Sequence, residues 1–340
     1  MSVEHAQSAA ATLVTQLQAR AARQPEQTAY IYLADGEAQE QRLTFSQLDQ
    51  RARVIATELR RRGLAGRPVL LLYPSGLEAV AAFCGCLYAG ALAVLTFPPY
   101  PGRPLTVQQA TAKDAGAALI LTTRQILADV EPRLSQAPDL QARPWVASDT
   151  LTVADAEPPA SPAADSLAAL SYTSGSTSAP KGVMLSHHNL VHDMLQLAGP
   201  FGLTDEDVWV SWAPQHHIAG LMISLVPILL GAQVVLMPAQ AFVERPARWL
   251  ENITRRRATV SFGFNFAFQQ CLTRITPEEK AALDLSGWRL ALVGGERVDA
   301  GLLGQFAEAF AASGFRREAL RPAYGLSEAS AYGSGLPSAA

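Results

Sequence analysis

The chain has 340 residues, 49% of them hydrophobic and 17% charged, with a formal net charge of −3. This length fits one large domain or two of ordinary size, with a sizeable buried core. The small net charge excludes a strong field that would recruit nucleic acid or an anionic membrane surface. Cys84, Cys86 and Cys271 form no CxxC or zinc-binding spacing, which indicates reduced core thiols in a cytoplasmic protein.

Short apolar runs alternate with longer helical patterns along most of the chain. Strands are predicted at 68–73, 91–96, 117–122, 167–173, 207–212, 232–237, 258–262 and 290–294. Helices are predicted at 46–62, 187–199, 240–257 and 298–312. At the first helix, Ser46 is the predicted N-cap, because Asp49 follows it three residues later, as in an N-cap signature. Strands without polar alternation that are separated by helices predict an α/β fold whose parallel strands are covered on both faces.

The alternation is interrupted at 148–166, where three prolines and several acids predict a surface linker. This linker would separate two α/β lobes, at about 10–147 and 167–340. The whole chain, 1–340, is then one unit whose second lobe carries the motifs described below.

The most apolar stretch, 218–237, is long enough to raise the question of a membrane span. It contains a proline, a glycine and a glutamine, and therefore predicts a buried helix, a glycine turn and a buried strand. We expect no integral membrane segment here.

A loop crowded with Ser, Thr and Gly follows the predicted strand at 167–173 and ends at Pro180 and Lys181. Backbone N–H groups, hydroxyls and one lysine amine in succession are the donors of a phosphate cradle. The Walker A spacing is not met, because no Gly-Lys-Ser/Thr occurs and no helical pattern begins at the lysine. A plain linker is the alternative, but a linker would not stand between two apolar strands.

Three blocks resemble the motifs of the adenylate-forming superfamily, which includes acyl-CoA synthetases, nonribosomal-peptide adenylation domains and luciferases. YTSGSTSAPKGV at 172–183 resembles its signature loop. WAPQHHIAG at 212–220 is similar to its aromatic-x-x-x-x-His-x-x-Gly segment, and AYGLSEAS at 323–330 to its Tyr-Gly-x-Ser/Thr-Glu block. Three blocks in the family's order are far more specific than any one of them.

Longer segments at 85–104, 265–298 and 306–330 resemble the fatty acyl-AMP ligase branch, which feeds fatty acids to polyketide and lipopeptide synthases. The resemblance implies the large N-terminal domain of these enzymes, with two mostly parallel sheets flanked by helices. It implies ATP-dependent activation of a fatty acid to an acyl-adenylate with pyrophosphate release, using ATP and Mg²⁺. The implied partner is an acyl carrier protein or a downstream polyketide or nonribosomal peptide synthase, and no nucleic acid.

The resemblance also implies roles for single residues. The β- and γ-phosphates would be held by Thr173, Ser174, Gly175, Ser176, Thr177 and Lys181. The adenine side would be formed by Gly294, Gly295, Glu296 and Tyr324, with Gly325 in the same nucleotide-binding set. Ser327 would contact the α-phosphate, His217 the substrate carboxylate, and Glu328 would coordinate Mg²⁺. The implied catalytic residues are therefore His217, Lys181 and Glu328.

Each of these side chains has a purely structural alternative. Glu328 alone is an acid at a helix start, Tyr324 an interface aromatic and His217 a surface histidine. His188 and His192, four residues apart, have the spacing of half a metal site but no third ligand. For the acyl chain, the small and apolar residues Gly220, Ser224, Gly263 and Ala267 fit a tunnel and ordinary core packing equally well.

The chain departs from the family pattern at several points. Ile218 stands where ligases of this branch carry Asp, Ser178 where many relatives have Gly, and the adenine block reads 294–298, GGERV. Family members continue through a ribose-binding Asp, a hinge and a small C-terminal domain with the catalytic lysine. The 340-residue chain is therefore expected to bind its ligands but to turn over poorly.

Three other functions remain open from the sequence. An acyl-CoA ligase of the same superfamily shares all three motifs. A non-catalytic docking module would account for Ile218 and the altered adenine block. A serine hydrolase would use Ser327 in 325–329, which falls one residue short of the Gly-x-Ser-x-Gly elbow, and no histidine follows it.

Overall fold

The computed structural model describes residues 12–152, 156, 158–173 and 180–335, which form two β-sheets with helices on their faces. The strands are β1 Thr28–Leu33, β2 Glu40–Thr44, β3 Pro68–Leu71, β4 Leu92–Leu95, β5 Leu119–Thr122, β6 Trp145–Ala147, β7 Leu167–Thr173, β8 Lys181–Ser186, β9 Val208–Ser211, β10 Gln233–Leu236, β11 Val260–Gly263, β12 Leu290–Val293, β13 Leu320–Tyr324 and β14 Ser334–Gly335. The helices are α1 Leu13–Arg23, α2 Phe45–Arg61, α3 Leu77–Ala89, α4 Thr106–Asp114, α5 Arg124–Val130, α6 Pro138–Gln141, α7 His187–Phe201, α8 Ile218–Leu230, α9 Ala239–Glu244, α10 Ala247–Arg256, α11 Asn265–Arg274, α12 Pro277–Ala281 and α13 Ala300–Ala309.

The two sheets are mostly parallel. The eight-stranded sheet has the order β14-β13-β12-β11-β9-β10-β1-β2, and the six-stranded sheet has the order β6-β5-β3-β4-β7-β8. Antiparallel pairing occurs between β1 and β2, β13 and β14, and β7 and β8. The predicted α/β class with two mostly parallel sheets flanked by helices is therefore confirmed.

The strands on the two sides of 148–166 do not sort into one sheet each. β7 and β8 follow this segment and complete the six-stranded sheet, where β7 pairs in parallel with β4. β1 and β2 precede it and lie at the end of the eight-stranded sheet. The chain thus crosses between the sheets twice.

Every strand predicted from the sequence is present, and its bounds agree to within two residues. The predicted helix at 240–257 is two helices, α9 and α10, separated at Pro246. Proline has no N–H to donate and its ring clashes with the preceding turn, so one helix cannot continue through it. The strands β1, β2, β6, β13 and β14 were not predicted, and β8 was expected only as a short extended piece at 183–186.

The predicted N-cap of α2 at Ser46 is wrong. Thr44 is the N-cap, and its hydroxyl accepts a hydrogen bond from the backbone N–H of Gln47. The Gln47 side chain accepts one from the Thr44 N–H in return, at 3.0 Å. Asp49 is not a capping residue but forms an ion pair with Arg53 at 2.6 Å.

The apolar stretch 218–237 is the predicted helix, turn and strand. Helix α8 is almost wholly buried, Gly231 ends it with a φ of 84°, and β10 follows in the interior of the eight-stranded sheet. In the described part of the chain, no helix is both long and apolar enough to cross a bilayer. The three cysteines are buried and free, and burial raises the pKa of Cys84 to about 12.

Candidate functional site

A cavity of about 380 Å³ lies where β9, β11, β12 and β13 end in the eight-stranded sheet. These four strands are parallel, and ligands of such sheets bind beyond the carboxyl ends of the strands. Helices α7 and α8 and the loop between β13 and β14 form the rest of the wall. Among the predicted site residues, the wall contains His217, Gly295, Tyr324, Gly325, Ser327 and Glu328.

The end of β13 and the loop between β13 and β14, residues 325–333, bring three of these side chains to the cavity. Tyr324 is 66% exposed, Ser327 is 8% exposed and Glu328 is exposed. A Cβ atom on Gly325 would lie 1.4 Å from the Ala331 carbonyl oxygen, so only glycine lets the loop close on itself. The predicted Tyr-Gly-x-Ser-Glu block therefore spans the end of β13 and the start of a loop that folds back on itself at Gly325.

Glycines are also required where β12 ends. A Cβ on Gly294 would lie 2.3 Å from the carbonyl oxygen of Ala323, and Gly295 has a φ of 80° and lies against the Phe264 ring. Gly295 lines the cavity, whereas Gly294 lies buried behind it and Glu296 is exposed away from the wall. Of the predicted adenine block, the structure places one residue at the cavity.

His217 is the N-cap residue of α8 and stands at the cavity. The segment before it packs tightly on the helix, because a Cβ on Gly220 would lie 2.1 Å from the Pro214 carbonyl oxygen. Gln215 joins this segment to the N-terminus of α3, which follows β3 of the six-stranded sheet. Its Oε1 accepts a hydrogen bond from Gly76 N at 2.6 Å. Desolvation lowers the pKa of His217, so its imidazole is neutral at pH 7.

Lys181 begins β8 and is exposed, and its backbone is paired with that of Thr173 at the end of β7. Strand β8 lies beside the short 3₁₀ turn Ser327–Ala329, which brings the lysine strand next to the Glu328 loop. The rest of the predicted phosphate cradle lies outside the described residues, namely Ser174, Gly175, Ser176, Thr177 and the neighbouring Ser178.

The four residues considered for an acyl tunnel pack the core instead. The Ser224 hydroxyl donates to the Gly220 carbonyl at 2.9 Å, and a Cβ on Gly263 would meet Trp249 at 2.8 Å. None of the four, including Ala267, lines the cavity. The apolar wall is made by other residues, namely Met194, Leu197, Trp209, Ile218, Met222, Ile223, Val226, Phe262 and Leu292. The spacing Ile218, Met222, Val226 along one face of α8 is the signal that could have found it.

Asp193 is the residue at the cavity that sequence reasoning missed. It lies on α7, is 5% exposed and accepts a hydrogen bond from Tyr332 N at 2.9 Å. Burial raises its pKa to about 7. No motif marks this position, because the carboxyl reaches the site only through the packing of α7 against the loop.

Two alternatives from the sequence find no support in the described residues. The rings of His188 and His192 are stacked with centroids 5.5 Å apart, and no group of three or more metal-ligating side chains occurs in the described ranges. A serine hydrolase requires a hydrogen bond between its serine hydroxyl and a histidine. Among the described residues, the Ser327 hydroxyl makes no such bond.

The family is shown by comparison with known proteins. A family model described as AMP-binding enzyme matches residues 17–339, and the chain therefore belongs to this family of adenylate-forming enzymes. It is 41% identical over 325 residues to the medium-chain-fatty-acid–[acyl-carrier-protein] ligase JamA of Moorena producens, covering 94% of this chain and 55% of that protein. It is 36% identical over 321 residues to the long-chain-fatty-acid–AMP ligase FadD23 of Mycobacterium tuberculosis, covering 91% and 55%.

Solved structures agree with this assignment. The fatty acyl-adenylate ligase from L. pneumophila in complex with acyl adenylate and pyrophosphate superposes with a TM-score of 0.91 at 35% identity. The match covers 99% of this chain and 59% of that chain. The chain spans about half the length of the curated relatives it matches.

Replacing Asp193 with Asn tests the electrostatic cost of the buried carboxyl. A pKa of about 7, raised from the ordinary 3.8, means that the folded state binds the proton more tightly than the unfolded state. The contribution of Asp193 to stability is then greatest below about pH 4 and is lost as the pH rises towards 7. We expect Asp193→Asn to gain stability relative to the parent chain between pH 5 and pH 8, by about 2–3 kcal/mol.

The measurement is urea unfolding of both chains at several pH values. Asp35→Asn is the control, because backbone N–H groups lower the pKa of Asp35 and its titration ends below this pH window. The Asp35 variant should differ from the parent by a constant amount. A constant difference for Asp193→Asn as well would contradict the assignment.

Proposed function

We propose that this chain binds ATP and a fatty acid and aligns them for formation of an acyl-adenylate with release of pyrophosphate. One observation carries the proposal: His217, Tyr324, Ser327 and Glu328 meet at one cavity whose remaining wall, apart from Asp193, is mostly apolar. A polar rim suits a nucleotide and its reacting carboxylate, and the apolar depth suits an alkyl chain. The names of the relatives, as fatty acid ligases and acyl-AMP ligases, support it.

The reaction joins two anions, so the protein must reduce their repulsion and hold them in line. Helix α8 begins at the cavity with no side chain capping its N-terminus, and Ile218 and Ala219 of its first turn line the wall. The positive end of the helix dipole therefore faces the position of the carboxylate and the α-phosphate. Lys181, on the strand beside the Glu328 loop, adds a cation on the phosphate side.

No general base is needed for this step. A fatty acid carboxylate is already ionised at pH 7 and attacks phosphorus with its own lone pair. His217 is neutral and can donate a hydrogen bond to a carboxylate or phosphate oxygen. Its role in the proposal is to orient the nucleophile rather than to remove a proton.

The residues present fit a divalent cation. Glu328 is exposed at the cavity and makes no hydrogen bond or ion pair with another described residue, so its carboxylate oxygens are available as hard ligands. Glu328 would hold Mg²⁺ there, and the bound ion would supply positive charge that offsets the charge of the phosphates.

We propose an acyl carrier protein, alone or within a polyketide or nonribosomal peptide synthase, as the acceptor. The support is the name of the relative at 41% identity, an acyl-carrier-protein ligase. Transfer to coenzyme A is the alternative to transfer to a carrier protein. The reduced thiols predict the cytoplasm as the compartment. Because the chain covers only 55% of this relative, each of these steps is proposed for the whole protein.

Charge removal at the phosphate side tests the site. We expect Lys181→Ala and Glu328→Gln each to weaken binding of a nonhydrolysable ATP analogue with Mg²⁺ by about tenfold or more, the effect of one lost charge-assisted contact. Isothermal calorimetry measures this, and without Mg²⁺ the Glu328 variant should lose nothing. Lys113→Ala on α4 and Glu308→Gln on α13 remove the same charges elsewhere and should bind as the parent does.

Equally weak binding by the parent and by both site variants would contradict the assignment and would favour a docking module without nucleotide binding. Pyrophosphate release by the same purified chain tests separately the expectation of slow turnover.

A bulky residue in the apolar wall tests the acyl part. Met222→Trp should fill space between α7 and α8, where each buried CH₂ of an acyl chain contributes about 0.8 kcal/mol. Dodecanoyl and acetyl forms of a nonhydrolysable acyl-adenylate mimic should then bind about equally, whereas the parent prefers the dodecanoyl form. Met222→Leu keeps the apolar volume and should retain the preference. A dodecanoyl preference that survives in Met222→Trp would place the alkyl chain elsewhere.

A further inference from the structure

We propose that Asp193 is a positioning residue that holds the loop 325–333, and with it Ser327 and Glu328, in the geometry that an acyl-adenylate requires. The inference rests on the proposed function. It goes beyond it because Asp193 belongs to none of the motifs and lies on a different element, α7.

The loop stores an unfavourable backbone conformation. Ser330 and Ala331 both have positive φ angles, 64° and 124°, in a region that residues with a Cβ rarely adopt. Such a conformation persists only where the surroundings enforce it. Within the loop, Ala331 N donates to the Leu326 carbonyl at 3.2 Å, and Ser330 N donates to the Ser327 carbonyl at 3.0 Å.

Asp193 supplies the hold from outside. Tyr332 N, next to the strained Ala331, donates to Asp193 Oδ1 at 2.9 Å. In the described part of the chain, no other hydrogen bond joins the segment 325–333 to a helix. The Tyr332 ring also packs edge-on against Phe201 of the same helix, with centroids 5.9 Å apart. Helix α7 therefore fixes the point at which the loop turns back.

A purely structural tie would not require an acid. A neutral side-chain carbonyl accepts a backbone N–H equally well, whereas a carboxyl that is 5% exposed with one hydrogen bond loses most of its solvation. Asp193 also lines the cavity itself, and its second oxygen has no partner among the described residues. The hold on the loop therefore depends on the acceptor oxygen of Asp193 and not on its charge.

Two replacements separate the acceptor from the charge. Asp193→Asn keeps an oxygen that accepts from Tyr332 N, and Asp193→Leu has similar size without an acceptor. We expect Asp193→Leu to bind a nonhydrolysable dodecanoyl-adenylate mimic about tenfold more weakly or worse, and Asp193→Asn to stay within about threefold of the parent. Thr122→Val, which removes a buried hydrogen bond in the six-stranded sheet, is the matched control and should bind normally.

Hydrogen exchange of the peptide 325–335 supplies the readout that a general loss of stability would not give. The Tyr332 amide should exchange faster in Asp193→Leu alone, while amides of β9 and β10 keep their protection. If the leucine variant does not fold, Asp193→Ala makes the same comparison. Failure of the parent chain to bind the mimic would overturn the proposed function. Binding by the parent with equal binding and exchange in Asp193→Leu would overturn only the role of Asp193.

Discussion

The closure of the loop 325–333 over the end of the eight-stranded sheet is the constraint on which the site depends. It requires a residue without a Cβ at Gly325, because the Ala331 carbonyl occupies the space of that atom. Closure brings an aromatic ring, a hydroxyl and a carboxylate to one rim within five residues of chain. Two helices form further walls of the same cavity. Helix α7 accepts a hydrogen bond from the loop through Asp193, and the N-terminus of α8 lies at the cavity.

The two sheets contribute differently to the chemistry. The eight-stranded sheet supplies the cavity beyond the carboxyl ends of its parallel strands. The six-stranded sheet supplies the strand pair β7–β8, whose connecting loop carries the predicted phosphate contacts. Gln215 bonds to Gly76 between these two parts, and β8 lies beside the Glu328 turn. In the proposed reaction, the residues that hold the nucleotide and the acid would thus come from both sheets.

Much of this architecture could be predicted from the sequence. Parallel strands are buried on both faces and read as continuous apolar runs, so β3 to β5 and β9 to β12 were found with nearly correct bounds. The resemblance of short, ordered motifs to those of a family predicted His217, Tyr324, Ser327 and Glu328 as site residues, and the structure brings these four residues to one cavity. Their meeting at one cavity could not be read from spacing alone.

The remainder depended on three-dimensional contacts that leave no local signal. Thr44 rather than Ser46 caps α2, because the strand before it ends at that residue. Strands β7 and β8 belong to the six-stranded sheet although they follow the predicted linker, because β7 pairs with β4, more than seventy residues earlier in the chain. Asp193 reaches the site by helix packing. The apolar wall comes from α7, one face of α8 and the ends of the strands, and not from the small residues that fitted a tunnel and core packing equally well.

The most direct test of the account is a crystal structure of this chain with a nonhydrolysable fatty acyl-adenylate mimic. The account predicts the adenosine between Tyr324 and Gly295, the linking group beside His217 and Ser327, and the alkyl chain between α7 and α8. A well-defined mimic bound at any other surface, with the space beside Met222 and Val226 unfilled, would contradict it.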